Sequence, residues 1–98
     1  MKVHWTERAK SRLKNIENFI AEDDSITAKS EIRRILIRSK QISAYPQAGR
    51  QVPEYQHNEI REVLERPYRI IYCIKESQID VLAVMHYRQL LPGDIKNL

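Results

Sequence analysis

The 98-residue chain predicts an α+β fold of two layers, with a helical hairpin resting on one face of an antiparallel sheet. Three observations carry this expectation. Apolar residues recur at three- and four-residue spacing through the first half of the chain. The second half instead holds short runs rich in β-branched and aromatic residues, separated by polar turns. Only two glycines occur, Gly49 and Gly93, and no stretch has the composition of a linker. Residues 1–98 are therefore expected to form one domain around one modest core.

A first strand is expected over Lys2–Trp5. Thr6 then stands where a helix N-cap belongs, with Glu7 in the first turn, where the helix dipole favours an acid. Ala9, Leu13, Ile16 and Ile20 mark the apolar face of that helix. The acidic run Glu22-Asp23-Asp24 interrupts it, and Ser25 is the expected cap of a second helix. Ala28, Ile32, Ile35, Leu36 and Ile42 form the apolar side of this helix. Lys29, Arg33, Arg34, Arg38 and Lys40 occupy much of the rest, a solvated face with partners such as Glu31 or a basic contact surface. Pro46 and Gly49 end it, and so short a connection predicts an antiparallel hairpin. From Gly49 to Glu54 the chain reads as an extended connector, because Pro53 excludes a central strand. Strands are expected over Glu59–Leu64, Tyr68–Ile74 and Ile79–His86, the last two joined by the turn Lys75–Gln78. The helices cover one sheet face, and the other is expected to stay partly open for binding.

Composition narrows the function classes only coarsely. Hydrophobic residues make up 42% and charged residues 31%, with a net charge of +4, which suits nucleic acid, an acidic partner or both. Cys73 is the single cysteine, so neither an internal disulfide nor a cysteine-based zinc site is expected, and its apolar neighbours suggest a buried structural thiol. His4 and His57 lie among poor ligands, so no metal site is expected. No signal-peptide run and no membrane-spanning stretch is present, which points to the cytoplasm and away from a membrane.

Four local patterns narrow the reading further: Trp5-Thr6-Glu7 with Ala9 and Leu13, then Tyr45-Pro46-Gln47-Ala48-Gly49-Arg50 with Val52-Pro53-Glu54. Arg61-Glu62-Val63 with Tyr68-Arg69-Ile70-Ile71-Tyr72 follows, and Val84-Met85-His86-Tyr87-Arg88 closes the series. In this order and spacing, over residues 5–88, the chain resembles the RelE/ParE family of toxins from bacterial type II toxin–antitoxin pairs. The resemblance implies the RelE/ParE-like two-layer fold, a toxin held inactive by a cognate antitoxin, no cofactor, and contact with operator DNA only through that antitoxin. It also implies one of two targets. ParE-like members poison DNA gyrase, whereas RelE-like members cut mRNA on the ribosome without a metal.

Metal-free RNA cleavage needs a base for the 2′-hydroxyl, a cation for the crowded phosphorane and an acid for the leaving oxygen. By the resemblance, the candidates are Arg61, Arg69, His86, Tyr87 and Arg88. Arg69 would clamp phosphate through its planar guanidinium. Alternatively it is a solvated arginine on the uncovered face. His86 would exchange a proton near neutral pH. Strand alternation also groups it with Leu82 and Val84, as a core histidine. Tyr87 would stack on a base or pack at an edge. Arg88 would share the phosphate charge, and Arg61 would do so or pair with a carboxylate. Glu54 and Glu62 are the candidate bases. Glu59, Glu62 and Glu65 alternate with Arg61 and Arg66 where ribosomal members concentrate cations, and this favours the gyrase-directed side.

Overall fold

The computed structural model describes residues 1–98. It opens with β1 (Lys2–Trp5), followed by α1 (Glu7–Ala21) and α2 (Ser25–Gln41). Thr6 caps α1, its hydroxyl accepting the Ala9 N–H at 3.1 Å. At α2 the cap is Asp24 and not the expected Ser25. Its Oδ1 accepts the Ile26 and Thr27 N–H groups at 3.0 and 3.2 Å, and its Oδ2 accepts the Thr27 hydroxyl at 2.8 Å. A carboxylate satisfies more donors than a serine hydroxyl and brings full charge to the helix N-terminus, so the acid one position earlier wins. Only three residues separate the helices, which pack as the expected antiparallel hairpin.

Beyond α2, a 3₁₀ turn (Pro46–Ala48) leads into β2 (Arg50–Gln51), then β3 (Ile60–Glu65), β4 (Tyr68–Ile74) and β5 (Gln78–His86). A second 3₁₀ turn spans Ile95–Asn97. The sheet has five strands in the order β1-β5-β4-β3-β2. The meander is antiparallel, while β1 lies parallel to β5 with His4 beside Asp80. Two expectations change here. The connector contributes a two-residue edge strand, Arg50 opposite Glu62, that ends before Pro53. The last strand also carries a bulge: Ile71 faces Ala83 and Tyr72 faces Val81, leaving Leu82 as the extra residue.

That bulge decides which side chains share a face. Ile79 and Val81 join Val63, Ile70 and Tyr72 beneath the helices, against Ala9, Ile35 and Ile42. After Leu82 the alternation is reset, so Val84 also faces the helices while Ala83 and Met85 face away. Leu82 itself packs partly against the cluster on the far side, so it does not share the His86 face as plain alternation predicts. Within α2, Ala28, Ile35 and Ser39 are buried, while Leu36 is exposed. Ser39 is satisfied on both sides, donating to the Leu36 carbonyl at 2.8 Å and accepting the Trp5 indole N–H at 3.3 Å.

The face away from the helices is less open than expected. Val52 and Tyr55 of the connector and Leu98 of the C-terminal segment bury Ile60, Ile71, Ala83 and Met85 in a second apolar cluster. Tyr55 donates to the Pro92 carbonyl at 2.7 Å, tying the two covering segments together. From α1, Arg8 donates to the carbonyls of Lys96 and Leu98, both at 2.9 Å. What remains uncovered is the end of this face where β4 begins.

Candidate functional site

At that uncovered end a groove of about 360 Å³ is lined by Arg50, Glu62, Leu64, Arg66, Arg69 and Tyr87, among others. Residues 62, 64 and 69 reach it because β3 and β4 pair with Leu64 opposite Arg69 and Glu62 opposite Ile71. The Arg50–Glu62 pairing adds the β2 arginine.

Glu62 is the centre of the charge network. Its side chain is 1% exposed, and Arg50 Nε donates to its Oε2 at 2.6 Å. Arg69, 7% exposed, brings Nη2 within 2.7 Å of Glu62 Oε1 and 3.4 Å of Glu54 Oε1. The contact with Glu62 is an ion pair whose angle falls short of a hydrogen bond, so Glu62 Oε1 and Arg69 Nε are left without hydrogen-bond partners. Partial burial raises the affinity of Glu54 for a proton. Its own backbone N–H, Arg69 and Arg50 outweigh that and hold its carboxyl below the ordinary carboxylate range. Both candidate bases thus face cations as partners of Arg69. Arg69 is accordingly no solvated strand arginine.

The other candidates are dispersed. Arg61 shares no face with Arg69. Its guanidinium donates to the carbonyls of Gly49 (2.9 Å), Gln47 (3.3 Å) and Asn58 (3.0 Å) and to Asn58 Oδ1 (2.9 Å). It fixes the connector and does not pair with a carboxylate. Opposite it, Tyr72 donates to the Pro46 carbonyl at 2.5 Å, and Gly49 lies against the same tyrosine.

His86 lies at the helix-side end of β5, half-buried rather than enclosed in the core. Its ring stands edge-on to Tyr68 at 6.2 Å and stacks on Tyr87 at 4.8 Å. The Arg88 N–H donates to its Nδ1 at 3.1 Å, so a proton on the neutral ring sits on Nε2. Arg88 leans over Tyr87, its Nε donating to the phenol oxygen at 3.1 Å. Of the five residues, only Arg69 and Tyr87 line the same groove.

One member of the network, Arg50, escaped the sequence reading, and Glu62 was read there as a candidate base and not as a buried ion-pair partner. Arg50 was hidden because a two-residue strand has no periodicity. Glu62 carried a usable signal: it shares its strand face with Ile60, and an acid among inward-facing residues calls for a buried cation. Cys73 is half-buried, and burial pushes its thiol up, against any nucleophilic role. No group of three or more His, Cys, Asp or Glu is arranged to hold a metal ion, and no helix is long and apolar enough to cross a membrane.

The fold defines a class, the small α+β domains built from a helical hairpin and a mostly antiparallel sheet. A family model described as "ParE toxin of type II toxin-antitoxin system, parDE" matches residues 3–91. The protein Y4kP of Sinorhizobium fredii, which carries the name of a toxin, is 32% identical over 91 residues, 93% of each chain. Among solved structures, a chain of the chromosomal ParDE TA system from P. aeruginosa superposes with a TM-score of 0.74 at 21% identity. The match covers 88% of this chain and 95% of that one. The chain belongs to the ParE toxin family of type II toxin–antitoxin systems, within the RelE/ParE superfamily.

Proposed function

We propose that residues 1–98 act as one toxin domain that arrests growth in the cytoplasm by binding and inhibiting DNA gyrase. In this reading a cognate antitoxin neutralises the toxin, and operator DNA is met only through that antitoxin. The observation that carries the proposal is the engagement of Arg69. It is nearly enclosed between Glu62 and Glu54, and no histidine, tyrosine and free arginine converge on one point beside it. Cleaving RNA without a metal demands base, cation and acid around a single phosphate. Inhibition by binding demands none of these, only a complementary surface. The ParDE structural relative and the ParE family match support the same direction.

A second reading keeps one observation in its favour, the groove in which Arg50, Arg66 and Arg69 gather near Tyr87. It would make the chain a ribosome-dependent ribonuclease. The two separate cleanly in one experiment. Purified toxin is added to gyrase acting on relaxed plasmid, and in parallel to a translating extract whose mRNA ends are mapped. Loss of supercoiling with intact mRNA is the expected result. Unimpaired supercoiling at large toxin excess, together with mRNA cut within codons, would sink the gyrase proposal.

A further inference from the structure

The two-residue turn between β3 and β4, Arg66-Pro67, is braced from two directions. From α2, Arg34 spreads its guanidinium over several acceptors. Its Nε and Nη2 donate to Glu65 Oε2 at 3.1 and 2.9 Å, and Nη2 also donates to the Arg66 carbonyl at 2.8 Å. Its Nη1 is taken by Glu31, one helical turn back. From beyond β5, the Tyr87 N–H donates to the Pro67 carbonyl at 2.9 Å. Both carbonyls of the turn are therefore bound, one by the helical hairpin and one by the end of the sheet.

What this bracing presents is Arg66. Its side chain is exposed, lines the groove at the start of β4, and makes neither a hydrogen bond nor an ion pair. The other two arginines of the groove are held, Arg50 by Glu62 and Arg69 by Glu62 and Glu54. Beside Arg66 stand Leu64, 45% exposed, and Tyr87, 46% exposed. An unpaired guanidinium next to exposed apolar surface is the make-up of a protein-contact centre, where arginine and tyrosine are enriched. A turn fixed at both carbonyls loses little freedom on binding, which lowers the cost of association.

We propose that Arg66 is a contact residue for the toxin's protein target, and that Arg34 on α2 is the positioning residue that holds it in place. The target meets Arg66 with a carboxylate and Leu64 with an apolar side chain. Position 34 calls for arginine, because lysine carries one nitrogen and cannot reproduce the fork over Glu65 and the turn. The assignment rests on the reading that the chain arrests growth by binding, and not on gyrase being what it binds.

The test induces the full chain in bacteria and counts surviving colonies at matched toxin levels. The same variants are purified for thermal unfolding and for the NMR resonance of Arg66 Nε–H. Arg66→Met should raise survival about tenfold or more, the scale of one lost contact-centre residue. Arg34→Met should do the same and shift the Arg66 resonance. Its thermal midpoint should barely move, since exposed ion pairs contribute little to stability. Arg34→Lys should recover only part of the toxicity. Arg33→Met, the same loss of charge on a neighbouring exposed residue, should stay as toxic as the parent. Arg34→Met combined with Arg66→Met should survive no better than Arg66→Met alone, because one residue acts through the other.

An Arg66→Met toxin as lethal as the parent would overturn the contact, and additive gains in survival would overturn the positioning role. Single-stranded RNA or duplex DNA that moves the Arg66 resonance at physiological salt would assign the groove to nucleic acid and overturn the protein partner. Failure of the gyrase reading alone looks different: supercoiling stays intact while the colony counts keep their order. A parent chain that permits normal growth would overturn both.

Discussion

A carboxylate that is almost fully enclosed survives only because two guanidinium groups stand over it. Glu62 meets Arg50 on one oxygen and Arg69 on the other, and Arg69 in turn holds Glu54. Removing one member of such a buried pair strands the other, which costs about 3–5 kcal/mol, whereas replacing both with apolar side chains of similar volume is often neutral. Glu62→Ala should therefore lower unfolding stability in urea by about 3–5 kcal/mol, and Glu62→Met with Arg69→Met should recover most of it. If the single variant unfolds at the wild-type midpoint, the pair contributes nothing to the fold. Gly49 makes a second residue-scale prediction. A Cβ there would come within 2.7 Å of the Glu62 carbonyl oxygen as well as against the Tyr72 phenol. Gly49→Ala should cost about 1–3 kcal/mol as an overpacked contact, read as a lower thermal midpoint. The Gly49 contact has no signature in composition or periodicity, and strand alternation marks Glu62 only as an acid on an inward face without naming its partners. Glu62, Arg69 and Arg50 sit on three strands, and only the register between strands brings their charges together.

Among the elements, the N-terminal strand is the one attached from afar. β1 pairs with β5 across more than seventy residues of chain, and Asp80 helps to seal that junction. It accepts from Gln78 Nε2 at 2.6 Å and faces His4 Nδ1 and Lys75 Nζ, both at 3.3 Å. Partial burial raises its pKa, but the hydrogen bonds from Gln78, Lys75 and His4 prevail and lower it below the ordinary 3.8. A carboxyl lowered on folding contributes its stability above the ordinary value and loses it as pH falls through the lower folded value. Asp80→Asn should therefore be less stable than the parent near neutrality and show a flatter acid limb below about pH 4 in unfolding midpoints. An unchanged acid limb would exclude Asp80 from the linkage. The hairpin was legible because Ala9, Leu13 and Ile16, then Ala28 and Ile35, repeat with the helical period. Its cap was misplaced by one residue because Asp24 and Ser25 are both good capping residues and only the backbone chooses between them.

On the scale of the whole molecule, the sheet is covered on both sides, by a helical hairpin on one and by two irregular segments on the other. The second cover was illegible in the sequence. Val52, Tyr55, Leu91, Ile95 and Leu98 are too irregularly spaced to mark a face, yet together they enclose Ile71, Ala83 and Met85. Their hold is light, resting on the Tyr55–Pro92 hydrogen bond, the Arg8 contacts and a few apolar side chains. Deleting residues 91–98 should leave the hairpin side intact while uncovering the far cluster. The expected signs are increased binding of an apolar dye and faster amide exchange in β4 and β5, with helix content by circular dichroism preserved. Dye binding equal to that of the full chain would show that the tail does not shield this face. The candidate residues were legible as types and not as an assembly. Arg69 and Tyr87 do share a groove, whereas Arg61 was recruited to brace the connector and His86 was turned toward the helices.

The extra residue in β5 gives this small toxin a counting problem. Upstream of Leu82 the odd-numbered residues face the hairpin, and downstream the even-numbered ones do. Loss of that single codon would restore simple parity and leave the sides as they are, whereas pairing every residue without the bulge would exchange the two sides of everything after it. Met85 would be thrust toward the helices, and His86 would be sent to the opposite surface. Length variation at the hairpin tip or in the Lys75–Gln78 turn carries no such penalty. Insertions and deletions in this lineage should therefore accumulate in those loops, and within the last strand only a loss at the bulge should leave the two faces in phase.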